Sequence, residues 1–326
     1  MSDTEFDIIR RYFTRQDSNR SDVITGIGDD AALLQVPAGM ELVACMDTLV
    51  DGVHFSTGTP AAAIGHKVLA VNLSDLAAMG AEPAWVTLSI TIPEPDPHWL
   101  ADFSQAFFKL ADHYQVQLVG GDTTQGPLSV TVQAHGFVPD GLALRRQGAQ
   151  AGDHIYVTGT LGDAGLALQL GGEAGAELQQ RLDYPEPRVA TGRALRGIAS
   201  AAIDISDGLL ADLGHLLESD QLGAALSIGD LPRSTAFSEA VQWCGGDARA
   251  LFFDLPLSAG DDFELCFTVP EASLQQLETA QAQFSCACTH VGRVEKVPGI
   301  RCYTAAGEAY KPATAGYQHF SVSQHG

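Results

Sequence analysis

The residues best suited to chemistry in this chain are aspartates that stand beside glycines or at the ends of apolar runs. Carboxylates at strand ends and glycine turns project into the clefts where ligands usually bind in α/β proteins. Oxygen ligands of this kind suit hard cations such as magnesium, which is typically held by a few carboxylates and by substrate phosphates. The pattern therefore predicts a divalent-cation site. The aspartates concerned are Asp29, Asp30, Asp47, Asp75, Asp122, Asp204 and Asp207.

Asp75 is the most informative of these aspartates. It lies among apolar residues of a helix predicted over Ala61–Met79, and a buried carboxylate there needs a partner or a metal. Asn72, three residues earlier, adds a second polar group to the same helix face. The other aspartates have a plainer alternative, because Asp and Gly are the residues from which turns are made.

The elements that must position these carboxylates alternate between strands and helices. The apolar run Leu42–Met46 stops at Asp47, and Val116–Val119 leads into Gly120-Gly121-Asp122, so both aspartates are expected to close a strand. The other predicted strands cover Trp85–Ile92, Leu128–Val138 and His154–Thr158, and the other predicted helices cover Glu5–Arg15, Trp99–Tyr114 and Asp163–Leu170.

A small, polar stretch at residues 148–153 predicts a boundary between two domains, residues 1–150 and 151–326. The length of 326 residues also favours two domains over one. The second half repeats the alternation of strands and helices, as a mixed α/β domain does.

Charge and composition exclude several classes of protein. The formal net charge is −22, from 40 acidic and 18 basic residues, which argues against a nucleic-acid partner. The start of the chain is acidic and lacks an apolar signal core, and no apolar run is long enough to span a bilayer. Six cysteines in a chain of this length are typical of reduced thiols, so a cytoplasmic location is expected.

The common nucleotide and hydrolase fingerprints are missing. Residues 159–165 are spaced GxxGxxG rather than GxGxxG, and there is neither a GxxxxGK[ST] loop nor a GxSxG elbow. Cys286, Cys288 and His290 alternate, so they would share one face of a strand. Their spacing matches no common zinc pattern, which favours a core-facing strand over a metal site.

Several segments, in this order along the chain, resemble the thiamine-monophosphate kinase family. No single segment is specific, but the ordered set is, and it runs along nearly the whole chain. The matching segments are Gly26–Asp30, Asp47–Phe55, Ala70–Gly80, Gly120–Thr124, Ile203–Leu209, Gly260–Leu265 and Gly316–Phe320.

The resemblance implies a fold and an activity. The family belongs to a superfamily with aminoimidazole ribonucleotide synthetase and selenophosphate synthetase. The implied fold has two α/β domains, an N-terminal ATP- and magnesium-binding domain whose strands pair across a homodimer and a C-terminal α/β domain. The implied reaction is ATP-dependent phosphorylation of thiamine monophosphate to thiamine diphosphate, the last step in making that cofactor. Several magnesium ions would bridge carboxylates and phosphates. They would thereby offset the electrostatic repulsion between an acidic protein and two anionic substrates.

The resemblance also assigns roles to residues by motif position. The implied catalytic residues are Asp47, Asp75, Asp122 and Asp207. The implied magnesium ligands are Asp30, Asp47, Asp75, Asp122, Asp204 and Asp207. The implied ATP contacts are Gly121, Asp122, Arg146 and Ser206, and the implied contacts with thiamine monophosphate are His54, Asp261 and Tyr317.

Two positions depart from the family pattern. Relatives usually carry hydroxyl residues where this chain has Cys45 and Met46, and a hydroxyl there helps to hold magnesium. Relatives also tend to have glutamate at the position of Asp261, so the reach toward the substrate is one methylene shorter here. Two rival functions stay open: an enzyme of the same superfamily with another anionic acceptor, and a non-catalytic protein that binds divalent cations.

Overall fold

The computed structural model describes residues 4–15, 20–244 and 248–317. The chain divides into two compact units, Met1–Ala143 and Leu144–Gly326. The sequence-based boundary after residue 150 falls a few residues later, inside the second unit. Segment 144–149 belongs to that unit because the backbone carbonyl of Arg145 accepts a hydrogen bond from the amide of Ala202 (2.8 Å) and Ala149 is buried in the unit's core.

The first unit is a four-stranded sheet with one long helix packed on a face of the sheet and a second long helix packed on the first. Its strands run in the order β3-β6-β4-β5, antiparallel except for the parallel pair β4 and β5. The helices are α1 (Glu5–Ile8), continued by a π-helical turn (Ile9–Phe13), α2 (Ala61–Ala78) and α3 (Pro97–His113). The strands are β1 (Val23–Thr25), β2 (Leu33–Leu34), β3 (Met40–Val50), β4 (Glu82–Ile92), β5 (Gln117–Gln125) and β6 (Ser129–Pro139).

Helix α2 forms the centre of this unit because it is buried along nearly its whole length. A helix that is apolar on most sides must lie between other elements. On one side is the sheet. On the other is α3, which approaches so closely at Gly65 that a Cβ there would collide with the backbone carbonyl of Phe103. The face of α2 that carries Asp75 is thereby fixed against the sheet.

The β1–β2 hairpin covers part of the other sheet face. Val23 and Leu34 pack on a small cluster that contains Trp85 and Phe137. The indole N–H of Trp85 donates a hydrogen bond to Asp22 (3.0 Å), which ties the start of the hairpin to β4.

The second unit is also built on one sheet, with strands in the order β13-β12-β9-β11-β7-β10-β8. All neighbours are antiparallel except β9 and β12. The strands are β7 (His154–Thr158), β8 (Ala201–Ile205), β9 (Gly223–Ser227), β10 (Glu264–Val269), β11 (Cys288–Glu295), β12 (Gly299–Tyr303) and β13 (Ala309–Tyr310). The α-helices are α4 (Asp163–Leu170), α5 (Ala176–Asp183), α6 (Val189–Ala194), α7 (Leu209–Glu218), α8 (Thr235–Trp243), α9 (Ala248–Ser258) and α10 (Leu274–Ala280), and short 3-10 turns cover Gly171–Glu173, Glu271–Ser273 and Gln281–Gln283.

A buried ion network holds the start of β10 in place. The Glu264 carboxylate is fully buried and accepts hydrogen bonds from Arg188 (2.6 and 2.7 Å), Arg181 (2.8 Å) and the Thr158 hydroxyl (2.6 Å). Glu264 lies within the Gly260–Leu265 segment, and its partners Thr158, Arg181 and Arg188 all belong to the second unit.

Replacing Glu264 with glutamine is expected to destabilise the protein by about 3 kcal/mol, because removing one partner of a buried ion pair leaves charge uncompensated. Urea unfolding followed by circular dichroism measures the change. The matched control is Glu271→Gln, since Glu271 is mostly exposed and also contacts an arginine. It should leave the free energy of unfolding nearly unchanged, because exposed ion pairs contribute little. Equal effects of the two substitutions would contradict the assignment.

Two strands extend beyond their predicted ends, so two sequence-based placements were wrong. Asp47 does not close a strand: β3 continues to Val50, paired with β6 throughout. Asp122 likewise lies within β5, because pairing with β4 continues to Gln125. In both cases backbone hydrogen bonding to the neighbouring strand continues the strand past its aspartate. No helix among the described residues has the length and apolar character needed to cross a membrane.

Candidate functional site

Two carboxylates meet between β3 and α2. The side chains of Asp47 and Asp75 are hydrogen-bonded to each other. Burial raises the pKa of Asp47 above its ordinary value, while the bond to Asp75 and the nearby charge of His54 oppose that rise. Two carboxylates in contact cannot both be ionised unless a shared proton or a cation lies between them. Asp75 is half-buried rather than fully buried, and its partner is a second carboxylate, so the pair forms the donor set of a hard cation.

His54 is the third member of this group. Its Nδ1 accepts a hydrogen bond from the amide of Val50 (3.0 Å), so the neutral ring carries its proton on Nε2. That bond fixes the imidazole at the end of β3, within electrostatic range of Asp47. The structure thus brings together a predicted substrate contact and two predicted metal ligands.

The residues before Asp47 point in opposite directions. Cys45 shares the face of Asp47, and its thiol donates a weak hydrogen bond to the backbone carbonyl of Asn72 (3.4 Å). Met46 lies on the other face and is 63% exposed. Its side chain therefore cannot complete a coordination shell around a cation held by the Asp47 carboxylate of the same chain, nor does it pack in the core.

A second group lies at the other edge of the sheet. The loop between β1 and β2 brings Asp29 and Asp30 to a cavity of about 650 Å³ that is also lined by Gly121 and Asp122 of β5. Phe6 and other residues of the N-terminal helical segment also line this cavity. The cavity combines carboxylates with apolar walls, as small-molecule sites commonly do.

Gly121 has a structural requirement of its own. Its φ is 156°, and a Cβ there would collide with the backbone carbonyl of Leu88 on β4. Only glycine lets β5 approach β4 so closely beside Asp122. The glycine is thus explained by strand packing, whatever it contacts in a ligand.

The two carboxylate groups of the first unit do not meet. Asp47 is on β3 and Asp122 is on β5, which are the opposite edges of the sheet. With strands about 4.8 Å apart, three spacings separate these edges by roughly 14 Å. Ligands of one magnesium ion lie within about 4 Å of each other, given bonds of about 2.1 Å. Across residues 4–15, 20–244 and 248–317, no three His, Cys, Asp or Glu side chains form a ready-made metal site.

The second unit gathers its candidates around the turn after β8. The carbonyl of Ser206 accepts a hydrogen bond from the amide of Asp261 (3.0 Å). The carbonyl of Asp207 accepts one from the amide of Tyr317 (2.9 Å). Three segments that are distant in sequence thus meet at one turn, which begins beside the buried Asp204.

The turn is held from beneath by Asp212. Its carboxylate accepts hydrogen bonds from the amides of Ser206, Asp207 and Gly208. Burial and the negative charges of Asp204 and Asp207 raise the pKa of Asp212 to about 7, against those amide bonds. Sequence reasoning missed this residue, although an aspartate four positions after Gly208 was a usable signal for a carboxylate that reaches back over a helix start.

The comparisons with known proteins fit this arrangement. The AIR synthase related protein family matches with its N-terminal domain at residues 28–138 and its C-terminal domain at residues 150–304. The thiamine-monophosphate kinase of Salmonella typhimurium is 48% identical over 327 aligned positions, covering 98% of both chains. This chain belongs to the thiamine-monophosphate kinase family.

Solved structures of the family show the same fold. The thiamine-monophosphate kinase from Stenotrophomonas maltophilia superposes with a TM-score of 0.81 at 45% identity, covering 93% of this chain and 96% of that one. AaThiL complexed with AMPPCP and TMP superposes with a TM-score of 0.74 at 29% identity, covering 90% and 92%. The predicted family and two-domain α/β fold are confirmed.

The remaining family positions have less support from contacts. Arg146 is exposed, next to Arg145, on the segment that runs beside the start of β8. Tyr317 is half exposed, and the rest of the Gly316–Phe320 motif, from residue 318, lies outside the described residues.

The interpretation of Cys286, Cys288 and His290 as a core-facing strand is wrong. Strand β11 begins only at Cys288, and His290 is exposed. Burial raises the pKa of the Cys288 thiol to about 12. His290 instead lies 3.0 Å from a ring nitrogen of His154.

Proposed function

We propose that this protein transfers the terminal phosphoryl group of ATP to thiamine monophosphate, giving thiamine diphosphate and ADP. The observation that carries the proposal is the 48% identity, over nearly the full length, to a thiamine-monophosphate kinase. The geometry agrees, because contacting carboxylates such as Asp47 and Asp75 require a cation when both are ionised. A family member complexed with AMPPCP, an ATP analogue, and TMP supports the same pair of ligands.

The acceptor needs no strong general base. A phosphate monoester has a second pKa of about 6, so the attacking oxygen is mostly ionised at neutral pH. That oxygen bonds to the γ-phosphorus as the bond to the β–γ bridging oxygen breaks, and ADP leaves with the electron pair. The proposed reaction is a direct in-line transfer without a phosphoenzyme, and the protein contributes positioning and charge neutralisation.

Magnesium is the proposed cofactor. It would neutralise charge on the transferring phosphoryl group and offset the repulsion between carboxylates and phosphates. The structure supports the donor set only in part: Asp47 and Asp75 are in contact, Asp30 and Asp122 line one cavity, and Asp204 and Asp207 flank one turn. The predicted six-aspartate set is therefore proposed as separate groups, each completed by water or phosphate oxygens.

Contacts with the two substrates are proposed from the same groups. Gly121, Asp122, Arg146 and Ser206 are assigned to ATP. His54, Asp261 and Tyr317 are assigned to thiamine monophosphate. In support, His54 is held beside Asp47, and the backbones of Asp261 and Tyr317 bind the Ser206–Asp207 turn.

An assay of ADP release with and without thiamine monophosphate tests the proposed function directly. ADP should form from ATP and magnesium only when thiamine monophosphate is present, and thiamine diphosphate should appear in equal amount. A rival acceptor within the superfamily would be exposed by thermal-shift measurements with an ATP analogue, magnesium and a panel of phosphorylated acceptors. Magnesium binding without ATP turnover for any acceptor would favour the non-catalytic alternative.

A homodimer is proposed through the open face of the first unit's sheet. Met40, Leu42 and Met46 alternate along β3, and each is more than a third exposed. A row of apolar side chains on an uncovered sheet face is typical of an interaction surface. A two-fold axis along the strands would place β3 of one chain opposite β5 of its partner.

Substitution of Met46 with lysine is expected to convert the dimer to a monomer at micromolar concentration, because it buries an unpaired charge in the proposed interface. Sedimentation velocity measures the change. Val297→Lys, at an equally exposed apolar residue of the second unit, is the matched control and should stay dimeric. A wild-type monomer, or a dimer that tolerates Met46→Lys, would contradict the interface.

The proposed location is the cytoplasm, where ATP and reduced thiols are available. None of the six cysteines, all of which lie among the described residues, forms a disulfide, which supports a reducing compartment.

A further inference from the structure

The turn between β8 and α7 resembles a phosphate-binding turn but is filled from within. Strand β8 ends at Ile205 and α7 begins at Leu209, with Gly208 at a φ of 113° between them. In many nucleotide-binding proteins the free amides of such a strand–turn–helix unit bind phosphate directly. The corresponding amides here are those of Ser206, Asp207 and Gly208.

They are taken by a side chain of the helix itself. Asp212 Oδ2 accepts hydrogen bonds from the amides of Ser206 (3.0 Å), Asp207 (3.0 Å) and Gly208 (3.2 Å). Asp212 is only 4% exposed. A buried carboxyl oxygen thus occupies the place that a phosphate oxygen would take, and an incoming phosphate would find the three amides already occupied.

Because the amides of the turn point toward Asp212, the turn contacts its other neighbours through its backbone carbonyl oxygens. The carbonyls of Ser206 and Asp207 receive the amides of Asp261 and Tyr317. The position of one small turn therefore sets the backbone of two further segments. Loosening the turn would displace the proposed ligand Asp207 and both substrate contacts together.

We propose that Asp212 is a positioning residue, whose carboxyl oxygen fills the 206–208 turn from within and sets the turn so that it receives phosphate only through magnesium. The proposal rests on the proposed function, since it concerns how the same site binds ATP and thiamine monophosphate. Asp212 is not placed in contact with either substrate, and it acts through Ser206, Asp207 and Gly208.

Kinetics of Asp212→Ala and Asp212→Asn test the proposal. The alanine variant should raise the magnesium concentration for half-maximal rate at least tenfold and raise KM for thiamine monophosphate. It should also become sensitive to inorganic phosphate, because three amides are released to bind it. The asparagine variant keeps an oxygen acceptor and should be partly rescued, with smaller shifts in both quantities.

The matched control is Asp153→Asn. Asp153 is another buried carboxylate of the second unit, bound to the amide of Gln150 (3.0 Å) and the hydroxyl of Ser200 (2.6 Å), before the start of β7. It should lower the melting temperature without shifting the magnesium titration. If Asp212→Asn behaves in the same way, with stability lost and titrations unchanged, Asp212 is only a structural cap and the proposal is overturned.

A second measurement separates this proposal from the proposed function. Amide hydrogen exchange at residues 206–208 should accelerate in Asp212→Asn and not in Asp153→Asn, whichever acceptor the enzyme uses. Binding of AMPPCP, measured as a thermal shift, should require magnesium in the wild type. In Asp212→Ala the binding should require less magnesium, because the released amides can bind phosphate directly, although turnover should require more, because Asp207 is displaced. Unchanged exchange at the turn would refute the positioning role even if thiamine monophosphate proved not to be the substrate. If no ADP is released with thiamine monophosphate but amide exchange at residues 206–208 changes as expected, only the assignment of thiamine monophosphate as the substrate is refuted. If the alanine variant does not fold, the comparison of the two asparagine variants decides.

Discussion

Asp47→Asn and Asp75→Asn are each expected to lower kcat/KM for thiamine monophosphate by about 100-fold or more. Either substitution removes one of two contacting carboxylates that would share a bridging cation. The loss concerns charge stabilisation in the transition state, so saturating substrate should not restore the rate.

The same substitutions should not destabilise the metal-free protein. Burial raises the folded-state pKa of Asp47, so its ionised form is less favourable in the folded state than in the unfolded one. This penalty is absent below the unfolded pKa and grows as pH rises through that value toward the raised folded value. At neutral pH, a neutral amide at position 47 removes the penalty, and the melting temperature should stay equal or rise.

The measurement pairs steady-state kinetics with thermal unfolding in EDTA. Asp140→Asn is the matched control, since Asp140 is an exposed aspartate just after β6 and should change neither quantity. A variant at position 47 or 75 with wild-type turnover would remove that residue from the proposed ligands. A variant that lost activity only because it unfolded would show a structural role instead.

Removal of divalent metal is expected to abolish turnover, and magnesium is expected to restore it. Calcium should restore little, because its longer bonds and looser shell hold transferring phosphates less well in line. Without a cation, the acidic groups around Asp47 and Asp122 would repel both anionic substrates.

Thiamine diphosphate should be measured directly by chromatography in this experiment, because many coupling enzymes themselves require magnesium. The control is protein passed through the same EDTA treatment and reloaded with magnesium, which separates metal loss from damage. Full activity after rigorous stripping would overturn the proposed mechanism.

Local pattern was enough for much of the fold. Strand His154–Thr158 and helix Asp163–Leu170 have their predicted bounds, because each has a clean period and a glycine or polar residue at its ends. The alternation from Val86 to Ile92 correctly gave the buried face of β4. These features depend on neighbours in sequence.

The site could be predicted only as a set of residue types. Whether Asp47 and Asp122 meet depends on strand order, and β6, which lies beside β3, comes last in the first unit. No pattern along the chain reveals that the two aspartates lie on opposite edges. Asp212 escaped notice for a similar reason, because its role is visible only once the turn folds back onto its carboxylate.

The backbone at Asp261 carries a further consequence. Asp261 and Phe263 both adopt left-handed conformations, with φ of 68° and 49°, where glycine would sit without steric penalty. Residues other than glycine in this region cost roughly 1 kcal/mol or more each. The chain therefore carries an aspartate at a position where glycine would relieve the steric strain of the backbone. Laboratory selection for heat resistance alone is expected to enrich glycine at position 261. The selected proteins should have higher melting temperatures and lower turnover, because they lose the proposed substrate contact of Asp261.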